Sequence, residues 1–544
     1  MSNVRILISN PEFATVSEEE TEIWIVGTRP EKAVDAICGA KKFIDAVDVV
    51  ENFPGEYTLF GFDDSGILHA HRGITSSFDV FYTEAADGTI VVGDHFRDVL
   101  AEVPREQRTV PDSVGPDQLL FGTRPNATYV EEVDRLGHGE TLTWQVESSP
   151  ERVQTERLST TPSIGRKEAI DRLDTHFDEI LCRTDYDRPV TMLSGGVDST
   201  LIASYLDTPE SVSGSITSPE FEFEEEYATR AADLLGTDHS FIRLAESDYI
   251  KHIEQTVDRT GQPLQHQQAV LMNATISQSP HHSYFNGQLA DGLLGTSTAR
   301  VSEISWRARH LGALLSGVSS KAETVDKNAR QLRRTVDDPA GPAMNFVIHS
   351  DQNRVKKIFG SDAVAASKRR RFEYTKSRVD IPWESGYGAH MHVGHLIDFF
   401  QDNTASPWRH AAHAHGNELH TPFGEKRVVE TALALSPKKR YTHRFKVKHL
   451  LKSLLKSRLP EYDTEKPKGA SGLPTERYNR TGPLKNAFEK YNLPDFIPNH
   501  KEDIVLNDAG HIKWYSFSYA VWRDRILRND QLGRLDSTSV IERP

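Results

Sequence analysis

Only two cysteines, Cys38 and Cys182, stand in this chain of 544 residues, too few for a disulfide framework or a cysteine-built metal centre. No apolar run approaches the ~18 residues needed to cross a bilayer. The opening stretch, Met1 to Ser9, lacks the long apolar core of a secretory signal. Basic charge is also in short supply. Sixty-four Lys+Arg face 79 Asp+Glu, a net charge of -15, where a duplex-binding protein carries a basic balance. These absences argue against nucleic acid and membrane as partners and lead us to expect a cytoplasmic location. What is present is ordinary for a globular chain, with 37% hydrophobic and 26% charged residues. The length suggests two to four domains.

Residues 1–160 read as short strands punctuated by Gly and Asp turns, among them Glu22–Val26, Glu56–Phe60 and Thr89–Gly93. Residues 147–162 lose hydrophobic pattern and read as a linker. From Arg166 the period becomes helical, with Ile170, Leu173, Phe177, Ile180 and Leu181 on one face. A strand at Pro189–Leu193 follows, and strand and helix alternate to about Gly295, the pattern of a parallel α/β sheet. Residues 300–460 read as mainly helical.

The sharpest motif is Ser194-Gly-Gly-Val-Asp-Ser-Thr200, between that strand and the next helix. A small-residue turn lets backbone N–H groups approach a phosphate, and a helix N-terminus favours negative charge. Ser194, Gly195, Gly196, Ser199 and Thr200 are therefore expected to bind a nucleotide. Asp198 would repel phosphate unless a cation lay between them, which makes it a candidate Mg²⁺ ligand.

This string resembles the PP-loop pyrophosphatases, and the likeness implies cleavage of ATP to AMP and pyrophosphate. Later segments resemble asparagine synthetases. Thr421-Pro-Phe-Gly-Glu-Lys-Arg-Val-Val-Glu-Thr-Ala432 is similar to their Pro-Phe-Leu-Asp-x-x-Val-Val-Glu-x-Ala. Trp408 to His420, Lys448-His-Leu-Leu-Lys452 and Lys466-Pro-Lys-Gly-Ala-Ser-Gly-Leu-Pro474 follow in the family's order. Gly55–Asp63, Phe81–Glu84, Phe121–Arg124 and Arg135–Gly139 resemble its amidotransferase domain. There is also a distant similarity to β-lactam synthetase-like enzymes.

The resemblance implies an α/β chain in two parts. Residues 1–160 would be a shortened, degenerate Ntn-hydrolase-like α+β amidotransferase domain. Residues 165–544 would be a PP-loop ATP pyrophosphatase domain of the adenine-nucleotide α-hydrolase kind, with a parallel sheet and a helical C-terminal part. The implied reaction uses ATP and Mg²⁺ to adenylate a small-molecule carboxylate, which ammonia or another amine then converts to an amide. By the same resemblance Asp291 is a second metal carboxylate, Lys468 the catalytic lysine, and Ser218 part of the adenine-contacting segment 213–218. A homodimer is left open.

Three departures stand against the family pattern. Position 2 is Ser2, not the cysteine nucleophile of glutamine-dependent members. The segment before Gly55 is short and lacks the recognisable glutamine-pocket motifs, so loss of glutaminase activity is expected. The Glu after the metal aspartate is replaced by Gly292, and the second motif glycine by Leu289. General-base work must then come from elsewhere, and His415 or His420 are the nearest guesses. The His410, His413, His415 and His420 group shows no zinc spacing and reads as pocket or structural histidines. Lys368-Arg-Arg-Arg371 reads as a solvated basic face, and Glu222 to Glu226 as helix-dipole partners. Two other readings share the loop: a nucleotide-binding pseudoenzyme or assembly partner, and an enzyme delivering sulfur or nitrogen to RNA, which the acidic charge opposes.

Overall fold

The computed structural model describes residues 4–295 except 12, 19, 20, 64, 125, 126, 183–185, 219 and 220; residues 348 and 350–380; residues 404–465 except 437, 438, 441, 444 and 445; and residues 473–543. Ser2, His390, His392, His395, Lys466 and Lys468 lie outside the described residues.

The first part of the chain is built from strands β1 (Val4–Ile8), β2 (Phe13–Glu18), β3 (Thr21–Gly27), β4 (Tyr57–Phe62), β5 (Leu68–Arg72), β6 (Phe81–Glu84), β7 (Ile90–Gly93), β8 (Asp134–Arg135), β9 (Glu140–Trp144) and β10 (Glu151–Gln154). One sheet runs β10-β9-β5-β4-β3-β2, antiparallel throughout. The other runs β1-β7-β6-β8, and the chain's last strand, Ser539–Arg543, pairs antiparallel with β1 at its edge. Alternate residues of the two sheets meet between them, Ile6, Ile8 and Val92 from one and Trp24, Val26, Phe60 and Trp144 from the other.

The outer face of the first sheet is covered by α1 (Pro30–Ile37) and α2 (Phe43–Asn52), two helices within a stretch expected to hold short strands. Pro30 opens α1 at a position where no helical N–H bond is lost. In α2, Phe43, Ala46, Val47 and Val50 recur at helical spacing and bury against Ile23, Ile25 and Leu59. Because both faces of β4 are covered, all six of its residues are buried and it shows no polar alternation.

The second part is a parallel sheet of β11 (Val190–Met192), β12 (Glu210–Ile216), β13 (Asp238–Leu244), β14 (Ser283–Phe285) and β15 (Glu418–His420). Its spatial order is β13-β12-β11-β14-β15, with every pair parallel. Successive residues face opposite layers: Tyr284 joins one core and Phe285 the other. Helices α3 (Arg166–Leu181) and α4 (Val197–Leu206) cover the Phe285 side. The expected face of α3 is largely the buried one, with Leu173, Phe177, Ile180 and Leu181 inside and Ala169 beside them. The opposite core is continuous with Leu7, Phe81 and Val91 of the strand-rich part, so the two parts share one apolar interior. No helix among the described residues is long and apolar enough to cross a membrane.

Candidate functional site

Chain order along the parallel sheet reverses between β11 and β14, the place where a sheet of this kind opens a crevice at its carboxyl edge, and the turns leaving these two strands lie side by side there. The Ser194–Thr200 turn leaves β11, and the Asn286–Gly295 turn leaves β14. The two motifs separated by about ninety positions in the sequence therefore share one edge.

The first turn is braced from several sides. Gly195 has φ 67°, and a Cβ there would stand 2.1 Å from the Tyr227 carbonyl oxygen, so only glycine fits. The Tyr462 hydroxyl donates to the Gly195 carbonyl at 2.7 Å. Its phenol is pushed up to about 12, chiefly by burial. The Ser199 hydroxyl accepts from the Ser194 N–H at 3.1 Å and lies 3.0 Å from the Ser194 hydroxyl. Thr200 is fully buried and Ser199 nearly so, and the Ser199 hydroxyl braces the turn from within. Ser194 is exposed and Gly196 and Asp198 are partly so, which leaves them at the rim of the crevice. Gly196 caps α4, whose first-turn N–H groups face the same space.

The second turn presses against the first. A Cβ on Gly287 would lie 2.9 Å from both Asp198 Cβ and the Ser199 nitrogen. Gly287→Ala should therefore displace Asp198 and cut ATP-dependent turnover at least tenfold, while far-ultraviolet circular dichroism stays unchanged. Leu289, where the family motif has glycine, adopts φ 71°, and this explains the preference. The left-handed backbone costs a branched side chain ~1–2 kcal/mol, which burial of the leucine against α3 and α4 offsets.

Asp198 and Asp291 converge on Lys448, the first residue of the Lys448–Lys452 segment. Lys448 Nζ donates to Asp198 Oδ2 at 2.6 Å and pairs with Asp291 as well. Burial works against the lysine's charge, but Asp198 and then Asp291 outweigh it and hold its pKa above the ordinary value. Lys448 itself has φ 55°, and Gly295 lets its backbone come close, since a Cβ on Gly295 would lie 2.5 Å from the Lys448 nitrogen. Two carboxylates from separate turns sharing one ammonium form a donor set that fits a divalent cation.

The other expected positions fall elsewhere. Ser218 follows β12, one strand along, and its hydroxyl meets Arg477 at 3.4 Å, which in turn pairs with Glu246 at 2.7 Å. The histidines do not gather at the crevice. His410 lies in the seam between the two parts, where the fully buried Asp79 accepts from Arg135 and pairs with Arg72 and His410. Burial alone would raise the Asp79 carboxyl, but the arginines hold it well below the usual range. His413 stacks on Phe78. His415 bonds Asn273 and lines a cavity of about 980 Å³ with Asp258, Arg259 and Arg525, at the end of the sheet where β15 begins. That is the edge opposite the crevice, so His415 is no candidate for the missing base. His420 is fixed by Glu418 at 3.0 Å and stacked on Phe285 at 4.6 Å, which makes it a packing residue.

Lys368–Arg371 is a solvated face only in part, with Arg369 and Arg370 exposed. Lys368 and Arg371 are buried, the latter over the Phe121 ring, and Arg370 pairs with Asp117 at 2.7 Å. Glu222–Leu235 is a helix opened by the acidic run as expected, with Glu225 also pairing with Arg243 at 2.7 Å.

Glu425, in the Pro422-Phe423 segment at the seam, is pushed up to about 7 by burial, with Arg29 opposing and Glu56 reinforcing the shift. The folded pKa exceeds the ordinary value of 4.5, so stability from its protonated form is full below 4.5 and is lost as pH rises through 7. Glu425→Gln cannot ionise and should gain about 2 kcal/mol relative to the parent between pH 5 and pH 8 in denaturant titrations.

The fold and crevice define an α/β protein whose ligand edge offers backbone N–H groups, a helix N-terminus and paired carboxylates to an anion carried with a cation. The asparagine synthase family model matches residues 178–505, more than half of the chain, and the chain belongs to that family. Membership points to an ATP-dependent, amide-forming carbon–nitrogen ligase in general. No curated protein matches the chain.

Proposed function

We propose that the protein is an ATP- and Mg²⁺-dependent carboxylate–amine ligase that adenylates a small-molecule carboxylate, releases pyrophosphate and forms an amide with ammonia or another amine. The observation that carries this reading is the meeting of Asp198, Asp291 and Lys448 beside the Ser194–Thr200 turn. Backbone N–H groups of the turn and the start of α4 bind the pyrophosphate portion of ATP, with Ser194 at the rim. Asp198 and Asp291 would hold Mg²⁺, which when bound neutralises phosphate charge and orients the leaving group. Lys448 supplies positive charge where negative charge develops on the transferring phosphate and substrate oxygens. Lys468 joins it as the lysine of the matched segment, and Ser218 lies beside the adenine.

The strand-rich part serves this reading as a scaffold of Ntn-hydrolase-like layering, helices on sheet on sheet on helices, without its own glutaminase. Cytoplasmic location and action on small molecules alone complete the proposal.

The test is Mg²⁺-dependent pyrophosphate release from ATP across a panel of carboxylates starting with aspartate, with and without ammonia. Release requiring one acid and an amine supports the ligase. Release that ammonia and other amines leave unchanged, with no amide formed, counts against it. Tight ATP binding without release under any pairing favours the nucleotide-binding partner suggested by Gly292.

A further inference from the structure

A second group of ionisable side chains lies outside the crevice, under α2. Glu51 near the end of α2, His71 on β5 and Glu156 just after β10 each offer one ligand atom, and these atoms all lie within 4.8 Å of one another. His71 is fully buried. Its Nδ1 is 3.0 Å from the Thr141 hydroxyl, while its Nε2 meets no hydrogen-bond partner. A buried imidazole nitrogen without a partner weakens the fold, and a ligand on that nitrogen would recover the loss.

With Nδ1 held by the Thr141 hydroxyl, Nε2 is the ring nitrogen left to take a ligand, the arrangement in which an outer partner orients a metal-binding histidine. Burial lowers the His71 pKa to about 3, so the ring is neutral, as a ligand must be. Glu156 is also buried, with Oε2 accepting the Ile74 N–H at 3.0 Å. A cavity of about 20 Å³ adjoins the three residues, room for one water as a further ligand.

One cation already reaches the cluster. Lys426 Nζ pairs with Glu156 and donates to the Glu51 carbonyl at 2.5 Å. One ammonium stands against two carboxyls here, and burial, reinforced by Glu156, pushes the Glu51 carboxyl up to about 7. Lys426 also has an outward partner one helical turn away, Glu430 at 4.0 Å, towards which it can swing.

We propose that Glu51, His71 and Glu156 form a binding site for one divalent transition-metal ion of the zinc class, for which Lys426 is the competing cation. Two carboxylates balance the ion's charge once Lys426 turns outward. The imidazole selects Zn²⁺, Co²⁺ or Ni²⁺ over Mg²⁺. Bond lengths of ~2.0–2.2 Å require the ligand atoms to close by less than about 1 Å. The bound ion would tie α2 to β5 and to the chain leaving β10, independently of the nucleotide crevice.

The probe is CoCl₂ titrated into the untagged full chain in excess Mg²⁺, followed by the visible absorption of low-coordinate Co²⁺ and by equilibrium dialysis. One equivalent per chain is expected. Glu51→Gln, a half-exposed position that leaves the fold intact, should weaken it at least tenfold, and His71→Asn should remove it. Lys426→Met should tighten it at least tenfold, and Asp291→Asn should leave the absorption unchanged. If His71→Asn fails to fold, the Glu51 and Lys426 variants decide the matter alone. No absorption at millimolar Co²⁺, or absorption that Glu51→Gln leaves unchanged, overturns the site. An affinity that Lys426→Met does not raise overturns the competition.

Discussion

In an Asp198→Asn variant, ATP-dependent pyrophosphate release is expected to fall by about 10²–10³-fold, the scale on which one preorganised charge at a reacting centre acts. The amide keeps the shape of the carboxylate, so Gly287 still packs against the same Cβ and the turn keeps its form. What is lost is one of the two carboxylates proposed to hold a divalent cation and one of two partners of Lys448. ATP binding should weaken far less than turnover, because the backbone N–H groups of the turn and of α4 are untouched. Asp291→Asn should act in the same direction but more mildly, since Asp291 is the more exposed carboxylate, 33% against 19%. Pyrophosphate release measured against Mg²⁺ concentration separates the two variants. Retained turnover in Asp198→Asn would remove Asp198 from the metal assignment.

The crevice was legible in the sequence to the extent that its chemistry is local. Ser194–Thr200 carries its own turn, cap and carboxylate within seven residues, directly after a strand, so loop and setting could be read together. Lys448 could not be placed by that reasoning. It lies 250 residues beyond Asp198, and only the packing of its helix, His449–Arg458, against α3 and α4 brings it there. The segment matching Lys-x-x-Leu-Arg was visible, but nothing in it said which lysine points where. The same limit applies to the basic run 368–371, where the buried Arg371 depends on the Phe121 ring far along the chain. Helix α2 is a different case. Its Phe43, Ala46, Val47, Val50 spacing is helical, but three valines and an isoleucine in ten residues also suit a strand. The last strand, Ser539–Arg543, has too few apolar residues to announce its pairing with Val4–Ile8 across the whole chain. Buried ionic seams such as Asp79 with Arg72, Arg135 and His410 defeat composition arguments altogether, because charges are read as surface until their partners are known.

Replacing Lys448 by methionine should produce two effects that separate its roles. As a catalytic group at the reacting phosphate and carboxylate, its loss should cost about 10²–10³ in turnover with ATP affinity changed by less than tenfold. As the ammonium that neutralises Asp198 and Asp291, its loss leaves two carboxylates facing one another in a partly shielded crevice. Removing one partner of a fully buried ion pair costs ~3–5 kcal/mol. With Asp291 one-third exposed, solvent screening reduces that to about 1–2 kcal/mol here. A divalent cation can take over that neutralising role. Millimolar Mg²⁺ should therefore raise the thermal midpoint of Lys448→Met by more than it raises that of the parent, and the excess should vanish in a Lys448→Met, Asp198→Asn double variant. A purely structural lysine would give the loss of stability without the Mg²⁺ rescue. A lysine without a part in the chemistry would give the rescue with turnover restored. Turnover that remains low after Mg²⁺ has restored stability is the result that assigns Lys448 to the reaction itself.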